Sequence, residues 1–208
     1  MLCSERLTGA KRVGVAIGQH GEMTFRFELV FEGAGWLHAT VESGDEAWTA
    51  QASYMTDAPE DLLDAVLAIC CGALTAEAVW WEEPQASRPF ENVHWRFRRV
   101  GDQVTVQIVG SNGALKAPSD EGQVFESTTD VDAFGRITAD AFLMAVEGLS
   151  DADYRHAWQS SADRRDVLVR VQEIRAALQG EVTAATQQRL AIDRESGFGR
   201  YASNLSEA

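Results

Sequence analysis

Alternating apolar and polar positions predict strands near the start of the chain. Residues 22–32 place an apolar side chain at every second position, which is typical of a strand with one buried face. Shorter stretches with the same period predict strands over residues 13–17, 36–42 and 47–55, separated by glycine-containing turns. Four sequential strands with short connections form an antiparallel meander.

A helical period replaces this alternation after residue 57. Apolar residues spaced three or four apart, such as Leu62, Val66 and Cys70, predict an amphipathic helix. Asp57 is expected to cap the start of this helix, because a short acidic side chain can accept a hydrogen bond from the first turn. Gly72 lies near the predicted end of the helix.

The same order of strands followed by one helix then repeats. Alternation predicts strands over residues 76–83, 92–99, 104–108 and 123–128. A second amphipathic helix is predicted to begin at Thr129 or Asp130 and to end near Gly148. The segment Phe25-Arg26-Phe27 also resembles Trp95-Arg96-Phe97, and each precedes a turn and a strand.

These patterns predict an α+β fold in which antiparallel, meander-rich sheets pack with helices. We expect one α+β domain over residues 1–160, and the repeat indicates a duplicated β-meander-plus-helix unit with halves 12–75 and 76–149. A C-terminal helical segment is predicted over 161–195. Residues 196–208 are rich in small polar residues and are expected to form a flexible tail.

The C-terminal segment contains a short apolar seam. Val167, Val171, Ile174 and Leu178 are spaced four, three and four residues apart. This is far shorter than the seam of a stable coiled coil, so we expect the helix to dock on the domain. The alternative is a homodimer that forms through residues 163–178.

The predicted strand over 92–99 has two chemically different faces. One face carries Val93, Trp95, Phe97 and Arg99, and the other carries His94, Arg96 and Arg98. The arginines form a basic cluster in an acidic part of the chain. They are expected either to bind an anion or to pair with acidic residues on neighbouring strands.

The charge of the chain favours some partners over others. The formal net charge is −14, and residues 58–160 hold 17 acidic and 7 basic residues. An acidic surface repels phosphate backbones and attracts basic proteins, so we expect a protein partner and no nucleic acid. The chain has no apolar run of membrane-spanning length and no signal-peptide pattern at its start, so we expect a cytoplasmic protein that does not insert into membranes.

No motif in the sequence predicts a cofactor or a metal. The glycines fit neither a dinucleotide-binding fingerprint nor a phosphate-binding loop, and no serine lies in a nucleophile-elbow motif. The four histidines lack the spacing of metal ligands. This favours binding over catalysis, although an enzyme could assemble a site from dispersed residues such as His94, Glu82 and Arg96.

The segment Trp80-Trp81-Glu82-Glu83 is the strongest candidate for a partner-binding site. Neighbouring residues of a strand point in opposite directions, so one tryptophan is expected to face solvent. An exposed indole beside carboxylates suits a partner that presents Arg or Lys. We add Arg96 and Arg98 to this candidate surface. The alternative is that helices cover both tryptophans.

Residues 80–145 resemble segments of uncharacterised bacterial proteins. The resemblance is carried by an acidic Trp-Glu-x-Pro segment that leads into a Trp-Arg-x-x-Arg-x-Gly-Asp hairpin, here Trp81–Pro84 and Trp95–Asp102. In size, charge and architecture the chain is similar to the immunity proteins that neutralise bacterial toxins. The resemblance implies a toxin-neutralising role and assigns no residue.

Together these observations predict a non-enzymatic, cytosolic protein-binding module. An immunity protein or a chaperone-like adaptor that binds a basic partner fits this prediction. The alternatives are an enzyme with a dispersed His/Glu/Arg site and a self-assembling structural protein.

Overall fold

Two antiparallel sheets and five helices make up the described part of the chain. The computed structural model describes residues 25–53, 57–81, 92–111, 122–158 and 163–196. The strands are β1 (Phe25–Gly33), β2 (Trp36–Ser43), β3 (Glu46–Ser53), β4 (Thr75–Trp81), β5 (Asn92–Val100), β6 (Gln103–Ser111) and β7 (Gly122–Asp130). The helices are α1 (Ala58–Cys70), α2 (Val131–Val146), α3 (Asp151–Trp158), α4 (Arg164–Leu178) and α5 (Ala184–Ser196).

The predicted α+β class with meander sheets and a helical C-terminal segment is confirmed. The three-stranded sheet has the order β1-β2-β3 and the four-stranded sheet the order β4-β5-β6-β7, with every neighbouring pair antiparallel. Each sheet leads directly into one helix, α1 or α2. The predicted strand over 13–17 and all of the predicted tail except Ser196 lie outside the described residues.

The two helices that follow the sheets begin in different ways. At α2 the Asp130 carboxylate accepts a hydrogen bond from the Ala133 N–H at 3.0 Å, as an N-cap should. Asp57 occupies the N-cap position of α1, as predicted, but its side chain does not make the expected hydrogen bond. Gly72 follows α1 with φ +98°, a left-handed conformation that ends the helix at little cost for glycine.

Aromatic rings hold the two sheets together. The Trp95 ring is 2% exposed and lies edge-on to Phe27 of β1 and Trp48 of β3, with centroids 5.8 and 5.9 Å away. It also packs on Trp80 of β4 at 4.9 Å. The Trp80 indole N–H donates to the carbonyl of Ala58 at 2.9 Å, which fixes the start of α1 against β4.

The helical C-terminal segment shares this core. Val167, Val171 and Ile174 are buried and belong to the same apolar cluster as the two sheets, and α4 contacts both α1 and α2. The seam is therefore used within one chain. A dimer through these three apolar side chains would have to exchange α4 between two chains. No described helix is long and apolar enough to cross a membrane.

The contrast between the two helix starts gives a stability prediction. Asp130→Ala should lower the free energy of unfolding by about 1 kcal/mol, because it removes the capping hydrogen bond of α2. Asp57→Ala is the matched control, since it removes the same charge from a helix start that has no side-chain cap, and it should cost less than half as much. Urea unfolding of both variants measures the difference. Equal losses would contradict the assignment of the caps.

Candidate functional site

One face of the four-stranded sheet is lined with polar side chains. The apolar residues of β4 to β7 point into the core, so strand alternation turns the intervening residues away from it. We call this second side the polar face. It carries Thr75, Glu77, Val79, Trp81, Asn92, His94, Arg96, Arg98, Thr105, Gln107, Val109, Ser111, Glu126 and Thr128.

Two rows of residues cross all four strands at one end of the polar face. One row aligns Glu77, Arg96, Gln107 and Glu126, and the other aligns Thr75, Arg98, Thr105 and Thr128. All of these residues except Thr128 line an open depression of about 390 Å³. Within the first row, Arg96 Nε donates to Glu77 Oε1 at 3.1 Å and Gln107 Nε2 donates to Glu126 Oε2 at 3.2 Å. The second row places an exposed cation among three hydroxyl groups.

Arg98 is that cation. Its side chain is exposed and makes no hydrogen bond or ion pair with another residue in the described part of the chain. Arg96, by contrast, is bound to Glu77, as expected for an arginine that pairs with an acid on the neighbouring strand. Arg98 is therefore free to bind an anionic group that enters the depression.

A line of three side chains starts at Glu77 and runs diagonally across β4, β5 and β6 towards the other end of the polar face. His94 Nδ1 lies 2.8 Å from Glu77 Oε1, and His94 Nε2 lies 2.9 Å from Ser111 Oγ. His94 is 9% exposed and Ser111 is 7% exposed. This line extends the Glu77–Arg96 pair into a network that is largely shielded from water.

The electrostatics of this network favour an ionised Glu77. Burial alone raises the pKa of a carboxyl group, but the hydrogen bonds from His94 and Arg96 outweigh it and lower the pKa of Glu77 below its usual value of 4.5. An ionised carboxylate only accepts hydrogen bonds, so the neutral His94 ring donates from Nδ1. Its Nε2 lone pair is then available to the Ser111 hydroxyl.

The binding residues predicted from the sequence do not all lie on one surface. Trp81, Arg96 and Arg98 share the polar face, and Trp81 is half-buried. Trp80 points into the core and is 0% exposed, so its assignment to a partner-binding surface is corrected. Glu82 and Glu83 lie outside the described residues.

Two of the three residues suggested for a dispersed enzyme site, His94 and Arg96, lie side by side on the polar face. His94 and Arg96 meet on one carboxylate, which belongs to Glu77, four residues before Trp81 on the same face of β4. Sequence reasoning missed both Glu77 and Ser111. Strand alternation could have indicated that both face away from the core. Glu77 lies four residues from Trp81 on β4, and Ser111 lies two residues from Val109 on β6, so each pair shares a face.

A second polar cluster joins the helices and has a structural role. The Asp64 carboxylate of α1 accepts from Arg170 Nε of α4 at 2.9 Å and from the guanidinium of Arg189 of α5. Arg189 also binds Glu173 of α4, which accepts from the Thr186 hydroxyl at 2.9 Å. These contacts attach α5, which has little apolar surface of its own, to the helical layer.

Glu60 of α1 is a buried acid with a strongly shifted pKa. It is 5% exposed, one of its oxygens is 3.5 Å from the Tyr154 hydroxyl, and the other has no hydrogen-bond partner among the described residues. Burial raises the pKa of Glu60 to about 7. Glu60 is therefore protonated in the folded protein under mildly acidic conditions.

Comparison with known proteins does not suggest a role for the polar face or for the cluster between the helices. No protein-family model, curated protein or solved structure matches this chain. Within the described ranges, no three histidine, cysteine, aspartate or glutamate side chains are grouped as metal ligands would be. We therefore infer a function from the hydrogen bonds and charges of the polar face.

Glu77→Gln should be far more destabilising than Glu126→Gln. Glu77 accepts from two partly shielded donors, so losing its charge should lower the free energy of unfolding by about 1–3 kcal/mol. Glu126 is exposed and accepts from Gln107 at the sheet edge, so its change should stay within about 0.5 kcal/mol. Urea unfolding at neutral pH compares them. Similar small losses would mean that the network does not form in solution.

Glu60 should make the protein less stable as the pH rises. Below about pH 4.5, the pKa of the group in the unfolded chain, Glu60 is protonated in both states. Between about pH 4.5 and 7 only the folded protein keeps the proton. The free energy of unfolding should therefore fall across this window by about 3 kcal/mol. Glu60→Gln should remove that fall. Urea unfolding at several pH values tests this, and parallel profiles for the two proteins would contradict it.

Proposed function

We propose that the protein is a cytoplasmic protein-binding module whose polar face contacts a partner of net positive charge. The observation that carries the proposal is the open depression, where an exposed Arg98 lies one row from Glu77 and Glu126. Charges of both signs at fixed spacing can select a matching surface. The net charge of −14 supplies long-range attraction for a basic partner.

The chemistry of the depression suggests what the partner presents. An acidic side chain or a chain terminus can bind the Arg98 guanidinium, which takes carboxylates in a two-pronged geometry. A lysine or arginine beside it can reach Glu126, whose neighbour Gln107 holds only one of its oxygens. Trp81 extends the same face with apolar area, of the kind that contributes most at protein interfaces. A small basic toxin domain is the partner class that the resemblance to immunity proteins favours.

Exchanging the two charges should abolish recognition without changing the net charge. The variant Arg98→Glu/Glu126→Lys reverses the pattern in the depression and leaves the net charge at −14. Arg26→Glu/Glu42→Lys is the matched control, because it reverses an exposed ion pair on the three-stranded sheet. The partner is first captured from host lysate at low salt and identified by mass spectrometry. Its affinity for the three proteins is then measured at low and moderate salt.

The two possible outcomes separate local recognition from general charge. The polar-face exchange should weaken binding at least about tenfold, while the control exchange leaves it within about twofold, and added salt should weaken the wild-type complex. Equal effects of the two exchanges, or none from the first, would remove the polar face from the interface.

A further inference from the structure

The diagonal line of Glu77, His94 and Ser111 has the connectivity of an activated nucleophile. A carboxylate holds one ring nitrogen of His94 at 2.8 Å, and a serine hydroxyl lies at 2.9 Å from the other. Hydroxyl nucleophiles in enzymes are activated in this way, by a base that a third group orients. Glu77 borders the depression, whereas His94 and Ser111 lie outside it.

The network has a defined direction of proton transfer. The carboxylate of Glu77 accepts from Nδ1–H, so the neutral imidazole presents a lone pair at Nε2. The Ser111 hydroxyl then donates to Nε2 and can lose its proton to it. Arg96 also donates to Glu77 at 3.1 Å, which helps to keep this carboxylate ionised and in place.

The row of paired residues that contains Ser111 supplies two further groups. Asn92 is directly opposite Ser111 on β5, and Trp81 is directly opposite Asn92 on β4. Residues paired in this way have Cβ atoms about 5 Å apart on the same face. The side-chain amide of Asn92 makes no hydrogen bond to another described residue, so its N–H groups can donate to a negative oxygen beside Ser111.

We propose that Ser111 is a nucleophile that takes acyl groups from small carboxylic esters. His94 is the general base, Glu77 positions it, and the Asn92 amide stabilises the oxyanion that forms. Ser111 is only 7% exposed, so a short acyl group is favoured, and the half-buried Trp81 indole provides an apolar contact for it. This activity goes beyond partner binding and does not depend on it.

The reaction proceeds through two balanced steps. Ser111 Oγ attacks the ester carbonyl carbon while its proton moves to His94 Nε2, and the carbonyl electron pair becomes the oxyanion. As the carbonyl re-forms, the bond to the alcohol oxygen breaks and His94 returns the proton to the leaving alkoxide. Water then attacks the acyl-serine with His94 again as base, and the acid leaves as Ser111 Oγ recovers its proton.

The test uses two probes on the full chain. A fluorophosphonate, which a nucleophilic serine attacks with loss of fluoride, is used to label the protein, and peptide mass spectrometry locates the label. The release of 4-nitrophenolate from 4-nitrophenyl acetate gives the acylation rate. The variants are Ser111→Ala and His94→Gln. Ser127→Ala is the matched control, because Ser127 is also a buried strand serine but pairs with the Ser43 hydroxyl at 2.7 Å.

The expected result is a label on Ser111 in the wild-type protein and in Ser127→Ala. Ser111→Ala should lose both the label and the acylation, and His94→Gln should acylate about 100-fold more slowly or worse, since a general base contributes at least that factor. A label on another residue, no label, or an unchanged rate in His94→Gln would overturn the proposal. Locating the label in the wild-type protein decides the matter even if a variant does not fold.

Discussion

The burial of Trp95 is the constraint on which the rest of the structure depends. Its ring contacts aromatic rings from β1, β3 and β4, so it joins the two sheets at their centre. A strand places successive side chains on opposite sides, so fixing Trp95 inward fixes His94 and Arg96 outward. A slip of one residue in β5 would turn an imidazole and a guanidinium into the apolar core and move the indole out of it, at a prohibitive cost in free energy.

The same constraint explains how Glu77, His94 and Ser111 come into line. Each lies on a different strand, and only the register of β4 on β5 and of β5 on β6 brings them within hydrogen-bonding distance. The core side of these strands is filled with large apolar side chains that resist sliding. The packing on the core side of the sheet therefore fixes the positions of the side chains on the polar face.

Much of this arrangement could be predicted from the sequence. Alternation correctly separated Val93, Trp95 and Phe97 from His94, Arg96 and Arg98, because a strand with one apolar face leaves a clear period of two. The start of α2 was predicted at Thr129 or Asp130, since both are capping residues just before an apolar helical series, and the structure has Asp130 as the N-cap. These features depend on neighbours in the sequence, which the sequence displays directly.

The remaining features depend on register between strands that are distant in sequence. The acid paired with His94 is Glu77, which was not singled out in the sequence, and the ten residues between β4 and β5 give no local signal for how the two strands align. The adjacent Trp80 and Trp81 look equivalent in the sequence, and only the contact of Trp80 with Trp95 and Ala58 shows which one is in the core. Asp57 lacks the capping hydrogen bond that Asp130 makes, and its backbone ψ of 48° differs from the extended 139° of Asp130, a difference that residue identity does not display.

The tautomer of His94 is the most direct test of the register that underlies this account. Long-range ¹H–¹⁵N correlation spectra of the protein, with His94→Gln used to assign the signals, distinguish a ring protonated at Nδ1 from one protonated at Nε2. At alkaline pH we expect a single slowly exchanging Nδ1–H form, because Glu77 accepts that proton. A ring protonated at Nε2, or one that exchanges freely between the two forms, would contradict the alignment of β4, β5 and β6.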